Sequence, residues 1–191
     1  MEAIYVNYIN ILQSIVPLEQ WEIDEIIKSI SVKSVCKNTI FKHAGSVVKE
    51  LYFVSNGCVR TYYLDKNNKE CTRSIAFENM YCWAINFLNN LPIHEYIEAI
   101  VDSELLVFKK EAFNQLVEKS PGFKKVYLIS LEKIALTYAS RVESLISMDA
   151  KERYHNLLLN SPDMVLTISN KIVASYLGIT EQSLSRIKSY T

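Results

Sequence analysis

The sequence has no surplus of charge of either sign: 21 Lys and Arg stand against 21 Asp and Glu in 191 residues. A nucleic-acid-binding role is therefore not announced by bulk charge and has to reside in a local surface. No apolar run approaches the roughly 20 residues that a membrane-spanning helix needs. Met1 to Asn10 carries Glu2 and no basic segment, unlike a secretory leader. The four cysteines, Cys36, Cys58, Cys71 and Cys82, are separated by 22, 13 and 11 residues. That spacing matches neither a zinc ligand set nor a small disulfide framework, so reduced thiols in a cytoplasmic protein are expected. His43, His94 and His155 are isolated and no His-x-His occurs. A metalloenzyme built on a small β-roll would need two or three His and a Glu converging from neighbouring strands, and that set is missing. Internal repeats and low-complexity segments are absent too.

What is present is an ordinary globular composition, 49% hydrophobic and 22% charged. Residues 4–30 read as two helices broken at Pro17, the second placing Leu18, Trp21, Ile26 and Ile30 on one stripe. From 32 to 109 the period changes to two, with strands expected at 32–36, 39–43, 51–55, 58–65, 70–77, 96–101 and 105–109. Asn56-Gly57 reads as a hairpin turn, and Lys66-Asn67-Asn68-Lys69 as the next turn. Several short strands at regular spacing suggest a barrel or jelly roll. Beyond Lys110 the chain is helical: 111–119, ending before Pro121, then 121–147, then 149–160, with a turn at Asn160-Ser161-Pro162-Asp163. The 121–147 helix, roughly 40 Å long, spaces Leu128, Leu131, Ala135, Tyr138, Val142 and Leu145 by 3, 4, 3, 4 and 3 residues. That is a heptad seam, for which the default partner helix is a second copy of the chain.

The most informative segment follows Thr167. Two short helices, 170–176 and 181–190, flank Leu177-Gly178-Ile179-Thr180. Gly178 suits a left-handed helix stop, and Thr180 suits the N-cap of the second helix. Ile172, Val173, Leu177, Ile179, Leu184 and Ile187 supply a small apolar nucleus, and Ala174 allows close approach. This is the spacing of a helix-turn-helix, whose second helix enters the major groove of DNA. On its outer face Gln182 can pair with adenine and Arg186 with guanine. Thr180, Ser183, Ser185 and Lys188 suit phosphate contacts, which fix register.

The run from Ile172 to Lys188, above all Ala-Ser-Tyr-Leu-Gly-Ile-Thr at 174–180 and Leu-Ser-Arg-Ile at 184–187, resembles the helix-turn-helix of the CRP/FNR family of bacterial regulators. Ile40 to Gly57 looks like the opening of that family's β-roll, with Gly45 in its first turn and Leu51-Tyr52-Phe53-Val54 before Asn56-Gly57. The resemblance covers roughly Leu18 to the end. It implies an α+β protein in three parts. Residues 1–119 would form N-terminal helices and an antiparallel cyclic-nucleotide-binding-like β-roll of jelly-roll (double-stranded β-helix) type. Residues 120–148 would be a dimerisation helix, and 149–191 an all-α helix-turn-helix domain. It also implies a non-enzymatic transcription regulator, a cytoplasmic homodimer on a palindromic double-stranded DNA operator, with RNA polymerase as a further partner. The alternative is a ligand-binding or scaffold module of the same fold that has lost DNA binding.

The chain departs from the family's ligand pattern. Ile93 and His94 stand where an Arg-Ser pair would clamp a cyclic phosphate, and Cys82-Trp83 falls near the Gly-Glu pair that holds the ribose. Lys42 and Arg73 are off the motif positions. A buried cyclic phosphate without a cation is costly, so neither cyclic AMP nor cyclic GMP is expected to bind. The cysteines also lack the clustered spacing of the family's iron–sulfur sensors. No cofactor is called for, and the sequence names no effector; one that bound the roll would act by changing the pitch of the long helices. With the chain stopping at Thr191, a β-hairpin wing is expected to be missing, which throws more weight on dimerisation.

Overall fold

The structure, a computed structural model, describes residues 3–84 and 86–189. Its elements run α1 (Ala3–Ile15), α2 (Gln20–Ser29), β1 (Ile30–Val35), β2 (Ile40–Lys42), β3 (Glu50–Asn56), β4 (Cys58–Leu64), β5 (Glu70–Phe77), β6 (Met80–Cys82), β7 (Tyr96–Ala99) and β8 (Ser103–Lys109), then α3 (Lys110–Lys119), α4 (Pro121–Ser147), α5 (Ala150–Asn160), α6 (Pro162–Thr167), α7 (Asn170–Leu177) and α8 (Glu181–Ser189). The chain divides into two compact units, Met1–Thr61 with Ile75–Glu132, and Tyr62–Ser74 with Lys133–Thr191. Tyr190, which the sequence assigns to the last helix, lies outside the described residues.

The first unit is built on two four-stranded sheets, ordered β1-β8-β3-β6 and β2-β7-β4-β5, so the α+β jelly-roll expectation holds. Inward side chains of both sheets, including Leu51, Phe53, Leu106 and Phe108 from one and Val59, Ile97 and Ala99 from the other, share one core with Tyr8, Leu12 and Ile26 of the N-terminal helices. Three readings need correction. Asn56-Gly57 is not a hairpin, since β3 and β4 lie in different sheets. Gly57 (φ 98°) turns the chain across from one sheet to the other, so close to Ser103 that an added Cβ would sit 2.7 Å from the Asp102 carbonyl oxygen. The three-residue strand β6 was too short to show a period. In α2 the inward stripe is Glu22, Ile23 and Ile26, whereas Trp21 is exposed.

The rotation of α2 has a chemical cause. Glu22 closes a capping box on its own helix, accepting the Glu19 N–H at 3.0 Å. It also accepts the Ser120 hydroxyl at 2.5 Å and the Gly122 N–H at 2.8 Å. Ser120 in turn accepts the Phe123 N–H at 2.9 Å, so one carboxylate ties α2 to the first turn of α4. Burial disfavours its charge, but the Ser120 hydroxyl and the two backbone N–H groups outweigh that and hold it below its usual pKa. A Cβ at Gly122 would lie within 2.6–2.9 Å of the Leu18 and Glu22 side-chain ends, so a larger residue would push them aside and loosen this contact.

The second unit contains the C-terminal part of α4, helices α5 to α8 and the distal part of the β4–β5 hairpin. Asp149 caps α5, accepting from the N–H groups of Lys151 and Glu152, and Glu152 returns a bond to the Asp149 N–H. The segment read as a plain turn at Asn160-Ser161-Pro162-Asp163 instead starts helix α6, with Pro162 at its first position, where no N–H is needed. No helix among the described residues is long and apolar enough to cross a membrane.

Candidate nucleic-acid interface

Helix α7 ends at Gly178, whose backbone is left-handed (φ 70°, ψ 31°). The Gly178 N–H reaches the Ser175 carbonyl and the Ile179 N–H the Ala174 carbonyl at 3.0 Å, which satisfies the last turn and reverses the chain abruptly. Thr180 then caps α8: its Oγ1 accepts the Ser183 N–H at 3.1 Å. Val173, Ala174, Leu177 and Leu184 are buried between the helices, while Ile172, Ile179 and Ile187 are half-buried at the edge. The local sequence thus dictates two helices joined by a tight turn, with one face of α8 left exposed.

Gln182, Ser185 and Arg186 are exposed on α8. The Arg186 guanidinium forms no ion pair among the described residues, leaving its planar donor fork open to a ligand. Three of the four expected phosphate-contact residues have partners inside the unit, Thr180 through its cap on α8. Ser183 is half-buried with its hydroxyl 2.9 Å from that of Thr180, and the Lys188 ammonium donates to Asn170 Oδ1 at 2.6 Å. Asn170 was not foreseen; it sits at the start of α7, and its bond to Lys188 links the two helices at the surface above their buried apolar contact.

A second feature escaped the sequence reading: the hairpin lies along one face of α7. Ser175 accepts the Thr72 N–H and donates to the Glu70 carbonyl, both at 2.8 Å. One turn earlier on the same face, the Lys171 ammonium pairs with Glu70 at 3.2 Å. Arg141 of α4 donates to the Thr72 carbonyl at 3.0 Å and stacks on Tyr176, 3.8 Å from its ring centre. Arg73 donates to the Tyr138 hydroxyl. The hairpin residues and their helical partners are some 65 to 105 positions apart, and no local pattern reveals them.

Charge is partitioned between the units although the total is zero. The helical unit with its hairpin tip holds ten Lys and Arg against seven Asp and Glu, leaving eleven against fourteen in the rest of the chain.

On α4 the expected seam divides. Leu128, Ala135, Val142 and Leu145 are exposed, Leu128 and Val142 at 54% and 55%. Leu131 and Tyr138 are half-buried. Ala139 and Ile146, the latter 81% exposed, extend the outward apolar stripe.

In the roll unit, Ile93 is 2% exposed and belongs to the core, its backbone bonded to Gly45 and Ser46, while His94 is exposed. Trp83 is half-buried among Tyr81, Phe87, Phe113 and Tyr127, with ring centres 5.9–6.2 Å away. The buried cations Arg60 and Lys110 and the half-buried Lys42 of this unit are engaged. Arg60 pairs with Glu98 at 2.6 Å. Lys110 donates to the carbonyls of Phe87 and Leu88 and to Asn90 Oδ1 at 2.5–2.9 Å. Lys42 pairs with Glu50 at 2.8 Å. The four cysteines form no disulfide among the described residues, and burial pushes Cys58 up to about 12. His43, His94 and His155 belong to no group of metal-binding side chains among the described residues.

Comparison with known proteins agrees with this architecture. The family described as "Cyclic nucleotide-binding domain" matches residues 32–120. An anaerobic regulatory protein of Pasteurella multocida is 20% identical over 97% of this chain and 72% of its own length. A transcriptional regulator of the CRP/FNR family from Eubacterium rectale superposes with a TM-score of 0.71 at 19% identity, covering 96% of this chain and 87% of its own. FixK2 from Bradyrhizobium japonicum also gives 0.71, at 20% identity over 84% and 83%. Residues 32–120 therefore match the cyclic nucleotide-binding domain family, in a chain that shares its fold with solved regulators of the CRP/FNR type.

Proposed function

We propose that this protein is a dimeric, sequence-specific DNA-binding transcription regulator that does not respond to cyclic AMP. The observation that carries the reading is the face of α8, where Gln182 and Arg186 stand exposed on a helix whose entry is fixed by Gly178 and Thr180. Bidentate Arg–guanine and Gln–adenine pairs in the major groove supply sequence discrimination. The basic surplus of the helical unit supplies the sequence-independent attraction to phosphate. The outward stripe of α4, Leu128, Ala135, Ala139, Val142 and Ile146, is the surface for a second copy. Pairing there presents two recognition helices to a palindromic site with half-sites about one helical turn apart.

Against cyclic nucleotides stand the apolar, core-packed Ile93 and the prior engagement of Arg60 and Lys110. An incoming phosphate would have to displace those partners or remain unpaired. The protein would work in the cytoplasm without a cofactor, and RNA polymerase is the partner through which it would act on transcription.

The deciding experiment is selection of bound sequences from random duplexes with purified protein, repeated with Arg186→Ala. Enrichment of a palindrome by the wild type, with relaxed preference at one position of each half-site in the variant, is the expected result. No enrichment, or equal affinity of both proteins for the selected site, ends the reading.

A further inference from the structure

We propose that the tip of the β4–β5 hairpin is a second DNA-contacting element, with Lys66 and Lys69 on the phosphate backbone flanking the site read by α8. The inference rests on the DNA-binding reading above and adds to it a contact surface contributed by the strands. Three observations carry it.

The first is direction. Ser175 bridges the Thr72 N–H and the Glu70 carbonyl, and Arg141 links the Thr72 carbonyl to Tyr176, toward the C-terminal end of α7. Glu70 reaches back to Lys171 in the first turn of α7. The strand therefore runs toward its tip in the direction of the first turn of α7, with Lys69 and the turn lying beyond Glu70 on that side. In a helix-turn-helix the first helix crosses the DNA backbone, and helix N-termini with their free N–H groups are where phosphates settle.

The second is order. Asp65 accepts the N–H groups of Asn67 and Lys69 at 2.8 and 2.9 Å, and its own N–H bonds the Lys69 carbonyl. Asn68 takes the left-handed conformation (φ 59°). The tip is a defined turn with little ordering entropy left to lose on binding.

The third is charge. Lys66 and Lys69 are exposed, and their ammonium groups form no ion pair among the described residues. The neighbouring acids are engaged, Asp65 by backbone N–H groups and Glu70 by Lys171. The Asp65 carboxylate keeps its charge and feels that of Lys69, but with Glu70 paired to Lys171 the tip still offers a polyanion two exposed ammonium groups in the same compact unit as the recognition helix.

The test is the salt dependence of affinity for a selected operator, measured on a duplex with extended flanks. Lys66→Gln/Lys69→Gln should bind more weakly, and the slope of log affinity against log salt should fall in magnitude by about 0.9 for each phosphate no longer neutralised. Sequence preference should not change. Lys66→Arg/Lys69→Arg should keep the wild-type slope. Ser175→Ala, which frees the hairpin from α7, should reproduce part of the weakening, and trimming the duplex to the half-sites should abolish the difference between wild type and the Gln variant. An unchanged slope in the Gln variant overturns the inference. So does a variant with normal DNA binding but reduced transcription in a purified system, which would place a protein on the tip instead. Failure of the wild type to bind any duplex would sink the DNA-binding reading itself, an outcome distinct from either.

Discussion

At the scale of single residues, two glycines with positive φ have different reasons to be glycine. Around Gly178 there is room: an added Cβ would meet only Leu145 Cδ2 at 3.4 Å, an ordinary contact. Gly178→Ala should therefore cost only the left-handed strain, about 1–2 kcal/mol. At Gly57 the same substitution adds backbone overlap, with the Asp102 carbonyl oxygen at 2.7 Å and Ser103 Cα at 2.8 Å. Gly57→Ala should be the more destabilising of the two, by a further ~1–3 kcal/mol of overpacking. Urea unfolding of both variants checks the ranking. On the recognition helix, Arg186→Ala should lose about 1–3 kcal/mol of discrimination at one base position. Lys188→Ala should weaken all sequences alike, which competition binding against scrambled duplexes would reveal.

At the scale of elements, the α2–α4 junction makes acid sensitivity predictable. The folded protein holds Glu22 below its ordinary carboxylate value, so its contribution to stability is complete above about pH 4.3 and is lost as pH falls through the lower folded value. Glu22→Gln should be less stable than wild type at pH 7 and should show a shallower loss on acidification, read from unfolding midpoints between about pH 6 and 3. The elements also show what the sequence reveals and what it hides. Thr180, Gly178 and the limits of α4 were legible because caps, stops and heptads are local signals. Asn56-Gly57 misled because the dipeptide specifies a tight turn, while the Ser103 backbone against Gly57 decides that the turn joins two sheets. Trp21 misled because a stripe drawn through apolar residues cannot foresee that Glu22 is the inward side chain, made tolerable by Ser120 and Gly122 about 100 positions away. The clasp of Ser175 on Glu70 and Thr72 was invisible for the same reason. The outer face of α8 was legible, but the engagement of Lys188 by Asn170 was not.

At the scale of the whole molecule, function is expected to follow assembly. Leu128 and Val142 expose more than half their surface on one stripe of α4, an arrangement that a second copy would cover. Leu128→Glu/Val142→Glu should shift sedimentation equilibrium to the monomer and weaken operator binding far more than it perturbs thermal unfolding. A dimeric variant, or a monomer with undiminished affinity, would contradict this. For the roll, calorimetric titration with cyclic AMP should give no heat of binding, and micromolar affinity would refute the role assigned to Ile93.

The unequal sharing of charge reaches beyond DNA. A chain whose basic excess is gathered in one unit and whose acidic excess lies in the other can attract its own copies. With little salt present, oppositely charged regions of neighbouring copies would draw together unscreened. Concentrated solutions should turn cloudy in dilute buffer near neutral pH and clear as sodium chloride is added, a salting-in behaviour that the balanced total would never suggest.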